Sequence, residues 1–376
     1  MPTRRAFLTT IAAAAAGISA PAMAAVAENS GGDEPIPGFP PGGFPGGSIR
    51  MNFNENPLGP SKKVIGALLE TGFQDSYRYN YIDPLTDAIA RHHSIPEGNV
   101  LVGCGSTEFL QFTPWAYLGD GGSIVLPTPS YGWSAGVAET MGRMAVRVPL
   151  GEAGIVDTAA MAKAIRPDTR MVYLANPNNP TGAPVPLDEI VALAQVMPSS
   201  AVLIVDEAYH DFLPKGGSSI DLALGGAPIL VLRTFSKAYG LAGLRLGYAI
   251  GPDSVLDRVR KVWWEDFGIN TAALIAGPAA LADQSHVQRY VALIDKGLEQ
   301  LRSGLKELGV KPLPHRAPFF MADFGAATNP MVRSLQKKHI FVQPGAKWGM
   351  PTFMRISVGT AEDNMVFLEA VREITG

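Results

Sequence analysis

Lys237 stands in the string Arg233-Thr234-Phe235-Ser236-Lys237-Ala238-Tyr239-Gly240, directly after the apolar run Ile229–Leu232. A lysine that leaves a buried strand into a hydroxyl- and glycine-rich turn is badly placed for a solvated surface charge. Desolvation lowers the pKa of such an amine and makes it a nucleophile. Taken alone it also fits a structural lysine. Asp206 opens Asp206-Glu207-Ala208-Tyr209 and ends a second apolar run, Ala201–Val205. A carboxylate there must be hydrogen-bonded or paired with a cation. A metal is one such cation, but His92, His93, His210, His286, His315 and His339 are scattered. No histidine or carboxylate cluster has ligand spacing, so no metal site is expected.

A pyridinium nitrogen is another partner for a buried carboxylate. A Schiff-base lysine with such an aspartate is the protein signature of pyridoxal phosphate. The third element is Asn176-Pro177-Asn178-Asn179-Pro180-Thr181-Gly182, in which two prolines set an extended turn. As structure alone it is a turn. Placed ahead of Asp206 and Lys237, it is the most specific short string in the chain.

These residues need a frame that brings them to one place. Short apolar runs recur at Asn99–Cys104, Ser123–Leu126, Met171–Ala175, Ala201–Val205, Ile229–Leu232 and Tyr248–Ile250. They do not alternate, as strands buried on both faces should not. Helical patterns lie between them, such as Leu187, Ile190, Val191 and Ala194. This βαβ rhythm predicts the α/β class, with a mostly parallel mixed sheet flanked by helices. Gly105-Ser106-Thr107, Asn176–Gly182, Asp206 and Thr234–Lys237 then fall just beyond strand carboxyl ends, where open α/β sheets bind ligands. After residue 270, Ile294, Leu298, Leu301, Leu305 and Leu308 form one helical stripe, and a smaller α+β domain is expected there.

The chain has 376 residues, 47% hydrophobic and 17% charged, enough for two packed domains and unlike a disordered chain. A net charge of −3 offers no footprint for nucleic acid. Cys104, the single cysteine, excludes an intramolecular disulfide. Met1 to Ala24 carries Arg4-Arg5, an alanine-rich apolar run and Ala22-Met23-Ala24 before a Pro/Gly-rich stretch. This reads as a twin-arginine signal peptide, the alternative being a packed N-terminal helix. Its loss would shift the net charge from −3 to −5 and leave a periplasmic protein with no membrane segment. The expected organisation is a signal at 1–24, a Pro/Gly-rich linker at 25–48 and an N-terminal arm of the small domain at 49–75. A large cofactor-binding domain at 76–270 and a C-terminal small domain at 271–376 follow.

Together these strings resemble the fold-type I, class I/II pyridoxal-phosphate aminotransferases, and among them the histidinol-phosphate aminotransferases. The resemblance runs from about Asn52 to the C-terminus and includes Asn54-Glu55-Asn56-Pro57-Leu58-Gly59-Pro60 and Met354-Arg355-Ile356-Ser357-Val358-Gly359-Thr360. It implies amino exchange between an amino acid and a 2-oxo acid. Lys237 would carry the cofactor and move the proton, Asp206 would hold the pyridine nitrogen protonated, and Asn179 and Tyr209 would bond the ring oxygen. Tyr131, in Pro129-Ser130-Tyr131-Gly132-Trp133, would stack on the ring. Ser106, Thr107, Ser236 and Arg245 would hold the phosphate, with Tyr79 reaching over from the second subunit of a homodimer. Arg355 would clamp the substrate carboxylate.

The likeness breaks at one position. Histidinol-phosphate aminotransferases usually carry a phosphate-gripping arginine where Ile340-Phe341-Val342-Gln343-Pro344-Gly345 has Gln343. A neutral amide cannot supply the charge-assisted hydrogen bonds a phosphate favours. Export is also at odds with a cytoplasmic step of histidine biosynthesis. Trp133, Gln343, Lys347 and Trp348 are candidates for the side-chain pocket. The same cofactor apparatus also serves lyases, decarboxylases and oxidases, and a non-catalytic periplasmic amine-binding protein is a third reading.

Overall fold

The apolar runs become strands because chain segments rich in Val, Ile and Leu have no polar face to present to water. The computed structural model describes residues 43–71, 79–214, 216–263 and 268–376. The expected signal peptide and most of the expected linker lie outside the described residues. After β1 (Ile49–Arg50) come β2 (Val100–Gly103), β3 (Ser123–Thr128), β4 (Met144–Pro149), β5 (Thr169–Ala175), β6 (Val202–Asp206), β7 (Ile229–Thr234) and β8 (Gly247–Ile250). The later strands are β9 (Lys311–Pro312), β10 (Phe319–Asp323), β11 (Ile340–Phe341), β12 (Gln343–Pro344) and β13 (Phe353–Ser357).

β2 to β8 form a seven-stranded sheet in the order β2-β8-β7-β6-β5-β3-β4. β3 to β7 pair in parallel, while β8 is antiparallel to both β7 and β2, so β8 alone is reversed. The carboxyl ends of β2, β3, β5, β6 and β7 therefore share one edge of the sheet. One strand differs from the sequence reading. Unlike β2, which is buried throughout at the opposite edge, β4 shows no apolar run because it stands at a sheet edge that leaves Met144 and Arg147 exposed and buries only Val148. Such an edge accepts charge.

Helices cover the sheet. In the helix Ser106–Leu118, Phe109, Leu110, Tyr117 and Leu118 are buried in a cluster with Leu101, Ile124, Tyr173, Val202 and Leu230. A second, four-stranded sheet runs β12-β13-β10-β9, antiparallel throughout. The helix Gln284–Glu307 buries Ile294, Leu298, Leu301 and Leu305 of the stripe read from the spacing, while Leu308, its fifth member, caps the helix and is only partly buried. Phe44 to Gly376 make one compact unit. Its packing starts ahead of Ile49, since the Phe44 ring meets that of Phe341 at 4.9 Å. The N-terminal stretch is then drawn inward: β1 pairs with β11, and the Met51 carbonyl accepts from Ser357 N–H at 2.9 Å. Among the described residues no helix is long and apolar enough to cross a membrane.

Candidate active site

A cavity of about 500 Å³ opens at the shared strand edge and is lined by groups from both larger sheets. Ser106, Thr107, Tyr131, Asn179, Asp206, Tyr209, Ser236, Lys237, Arg245, Gln343 and Arg355 all line it. Tyr79 begins the helix Tyr79–His93, and its side chain lies outside the described residues. Lys347 and Trp348 also line the cavity, but Trp133 does not. It points its indole N–H to Gln111 Oε1 at 3.0 Å and lies half-exposed beside Trp115 in a separate shallow hollow. As the first residue of the helix Trp133–Thr140, it is carried past the cavity that Tyr131 faces.

Lys237 Nζ donates to the carbonyl oxygen of Phe53 at 3.1 Å. Burial, with the nearby Arg355 charge, lowers its pKa to about 8, so the neutral amine is within reach near neutral pH. Asp206 is almost wholly buried, and burial raises its carboxyl to about 6. Its oxygens accept from Ala208 N–H at 3.1 Å and from the Tyr173 hydroxyl at 3.2 Å. A cationic partner would return that carboxylate to its charged form.

Arg355 is buried as well, and desolvation lowers its pKa to about 10. Its Nη1 donates to Asn179 Oδ1 at 2.7 Å and its Nη2 to the Asn52 carbonyl, while Nε has no partner. Among the described residues no carboxylate pairs with it, so a buried donor is left for an anion. In the turn after β5, Asn176 and Asn178 serve the loop itself. Asn176 bonds Val185 in both directions and Asn178 bonds Ser130, Thr181 and Pro129. Only Asn179 faces the cavity.

The opposite end of the cavity is built for an anion. The helix Ser106–Leu118 begins there after Gly105 at φ +79°, and no N-cap side chain covers its N-terminus, the end of a helix that attracts a negative charge. Arg245 Nη1 reaches Ser236 Oγ at 3.4 Å. A Cβ on Gly105 would lie 2.6 Å from Arg245 Nη2, so glycine is what lets that guanidinium approach the helix start. Tyr131 lines the cavity together with Thr107.

The N-terminal stretch contributes residues not assigned from the sequence. Asn52, Asn54 and Asn56 are all buried. Asn52 caps Arg355, Asn54 Nδ2 donates to the Tyr209 hydroxyl at 2.9 Å, and Asn56 Nδ2 donates to Ala238 O at 3.0 Å. Three asparagines at alternate positions were the available signal, because buried amides at that density need fixed partners. Asn54 also adopts φ +55°, a conformation that suits asparagine better than most side chains.

The residues fit pyridoxal phosphate. The anion end matches a phosphate, buried Asp206 matches a pyridinium, and Lys237 supplies the amine that a carbonyl requires. The volume suits a cofactor with a small substrate. Comparison with known proteins agrees. The family described as aminotransferase class I and II matches residues 47–371. A histidinol-phosphate aminotransferase of Moorella thermoacetica is 35% identical, covering 87% of this chain and 85% of its own. One from Thiobacillus denitrificans is 36% identical over the same shares. The crystal structure of histidinol-phosphate aminotransferase from Sinorhizobium meliloti in complex with pyridoxal-5'-phosphate superposes with a TM-score of 0.79. It is 26% identical and covers 86% of this chain and 90% of its own. Fold, cavity and relatives converge: the chain belongs to the class I and II aminotransferases, enzymes that transaminate with pyridoxal phosphate.

Proposed function

We propose that this transaminase exchanges the amino group of an α-amino acid with a 2-oxo acid, as an exported homodimer. The observation that carries the reading is the half-buried Lys237, lining one cavity with buried Asp206 and with an Arg355 that has no carboxylate partner among the described residues. When bound, pyridoxal phosphate supplies a carbonyl carbon for amine exchange and a ring that withdraws electrons. Asp206 holds the proton on the ring nitrogen, which keeps that withdrawal strong. Asn179 and Tyr209 hold the ring oxygen. Ser106, Thr107, Ser236 and Arg245 hold the phosphate, and Tyr131 covers the ring.

Arg355 orients the substrate by its α-carboxylate. With pyridoxal phosphate bound, Lys237 would be the residue placed to take the proton from the substrate Cα and to hand it back at C4′ of the cofactor. A folded-state pKa near 8 suits an amine that must both accept and give a proton near neutral pH. Arg355 can grip a carboxylate or a phosphate, so the preference for α-amino acids over histidinol phosphate rests on the neutral Gln343, which adds no charge to hold a phosphate.

Arg4-Arg5 and the alanine-rich run support export through the twin-arginine route, which carries folded, cofactor-loaded proteins. Replacing Arg4 and Arg5 by lysine should retain the protein in the cytoplasm on cell fractionation. Equal periplasmic yield would refute that reading. A panel of amino donors and oxo-acid acceptors, with histidinol phosphate among the donors, tests the substrate reading. Turnover of α-amino acids with slow histidinol phosphate is expected, and fast histidinol phosphate turnover would overturn it.

A further inference from the structure

Among the described residues, Lys347 is the one cation lining the cavity to which the proposed function gives no task. The cavity is lined, among the described residues, by Lys237, Arg245, Lys347 and Arg355 against a single carboxylate, Asp206. Arg245 faces the cofactor phosphate, Arg355 the α-carboxylate, and Asp206 the ring nitrogen. Lys237 gives up its charge in carrying the cofactor. One positive charge, on Lys347, then remains unbalanced.

Lys347 is held in place. Its Nζ donates to Gln343 Oε1 at 2.8 Å and sits 4.2 Å from the centroid of the Trp348 ring. Gln343 is buried and lies directly opposite Arg355 in the β12–β13 register. Residues opposed in an antiparallel pair send their side chains to the same face. Arg355 Cζ packs on the same Trp348 ring at 5.1 Å. Gln343 and Trp348 therefore hold two cations side by side at the substrate end. Among the described residues, no carboxylate pairs with Lys347. Burial of the ammonium, together with Arg355, lowers its pKa to about 8, which still leaves it charged at neutral pH. A neutral amide in Gln343 leaves two of the three ammonium protons free for another acceptor.

We infer that Lys347, steadied by Gln343, is a specificity-determining residue that binds a second acidic group of the substrate, at the side-chain end remote from the α-carboxylate. The substrate class is then an amino acid or oxo acid with an acidic side chain, carboxylate or phosphate. This rests on the transaminase reading for the role of Arg355.

The test is calorimetry on the cofactor-loaded protein at pH 7 with unreactive probes: glutarate, 4-phosphonobutyrate and pentanoate. Glutarate or the phosphonate should bind about 10- to 100-fold more tightly than pentanoate, the gain of one charge-assisted contact. Whichever of the two binds more tightly identifies the second group. In Lys347→Met the advantage over pentanoate should fall below about 3-fold, and Lys347→Arg should restore most of it. Because Lys347 is an exposed residue, Lys347→Met should fold, which circular dichroism checks. An unchanged advantage in Lys347→Met would overturn the inference, as would equal binding of all three probes to the parent protein. Failure of every amino donor to react would count against transamination, while the binding ratios would still decide the role of Lys347.

Discussion

Asn179 Oδ1 accepts a 2.7 Å hydrogen bond from Arg355 Nη1, and this bond ties the turn behind β5 to strand β13. Because a guanidinium binds a carboxylate well only in a fixed plane, Asn179 sets the attitude of the clamp as well as touching the cofactor. Asn179→Ala should raise KM for amino acids about 10-fold or more, the loss expected for a hydrogen bond to a charged group. Steady-state kinetics with one amino donor at several acceptor concentrations will show it. An unchanged KM would detach Asn179 from Arg355.

The pKa of Lys237, lowered to about 8 by burial and by Arg355, makes cofactor capture depend on pH. Only the neutral amine attacks a carbonyl. The rate at which cofactor-free protein takes up pyridoxal phosphate should therefore climb about tenfold per pH unit below 8 and level off above it. Arg355→Met removes one cause of the lowering, so its midpoint should move to higher pH. Stopped-flow absorbance gives both curves, and a midpoint that stays or falls would contradict the electrostatic coupling.

Asp206 has the opposite displacement. Its carboxyl is raised from 3.8 to about 6 by burial, so the cofactor-free fold binds this proton more tightly than the unfolded chain. That contribution is present at low pH and is lost as pH rises through 4 to 6. A pyridinium partner removes the penalty. The rise in Tm on adding cofactor should accordingly be larger at pH 7 than at pH 5, and Asp206→Asn should flatten the difference. The same variant should lose about 10²- to 10³-fold in kcat, since a neutral amide does not hold the ring proton.

Gly105 carries a purely steric prediction. With φ at +79° and a Cβ position 2.6 Å from Arg245 Nη2, Gly105→Ala must displace the guanidinium from the helix start. Cofactor affinity, read by equilibrium dialysis, should weaken about 10-fold or more. Gly98→Ala, where an added Cβ meets nothing within 4 Å, should leave it unchanged. Equal affinities in the two variants would remove Arg245 from the phosphate cup.

The central strands and their polar carboxyl ends were legible in the sequence because full burial writes an unbroken apolar run, as in Val202–Asp206. β4 was not, because an edge strand that keeps Arg147 exposed has no such run. The cavity groups that follow a strand, Asp206 and Lys237, could be read from position alone. Those that reach it from far along the chain could not. Asn52 and Asn54 meet Arg355 and Ser357 across some three hundred residues, a pairing set by β1 joining β11 and by the backbone bond from Ser357 to Met51. Trp133 shows the converse: its sequence neighbour Tyr131 lines the cavity, yet one helical step directs Trp133 away.

A single-turnover measurement at Lys237 tests transamination in this cavity most directly. Cofactor-loaded protein mixed with an amino donor should lose its visible absorbance, release one oxo acid per site, and recover its colour when a 2-oxo acid is added. Lys237→Ala, loaded with the same cofactor, should carry out this exchange at least about 10³-fold more slowly. Full turnover by Lys237→Ala, or release of ammonia, carbon dioxide or peroxide by the parent protein without an acceptor, would contradict it.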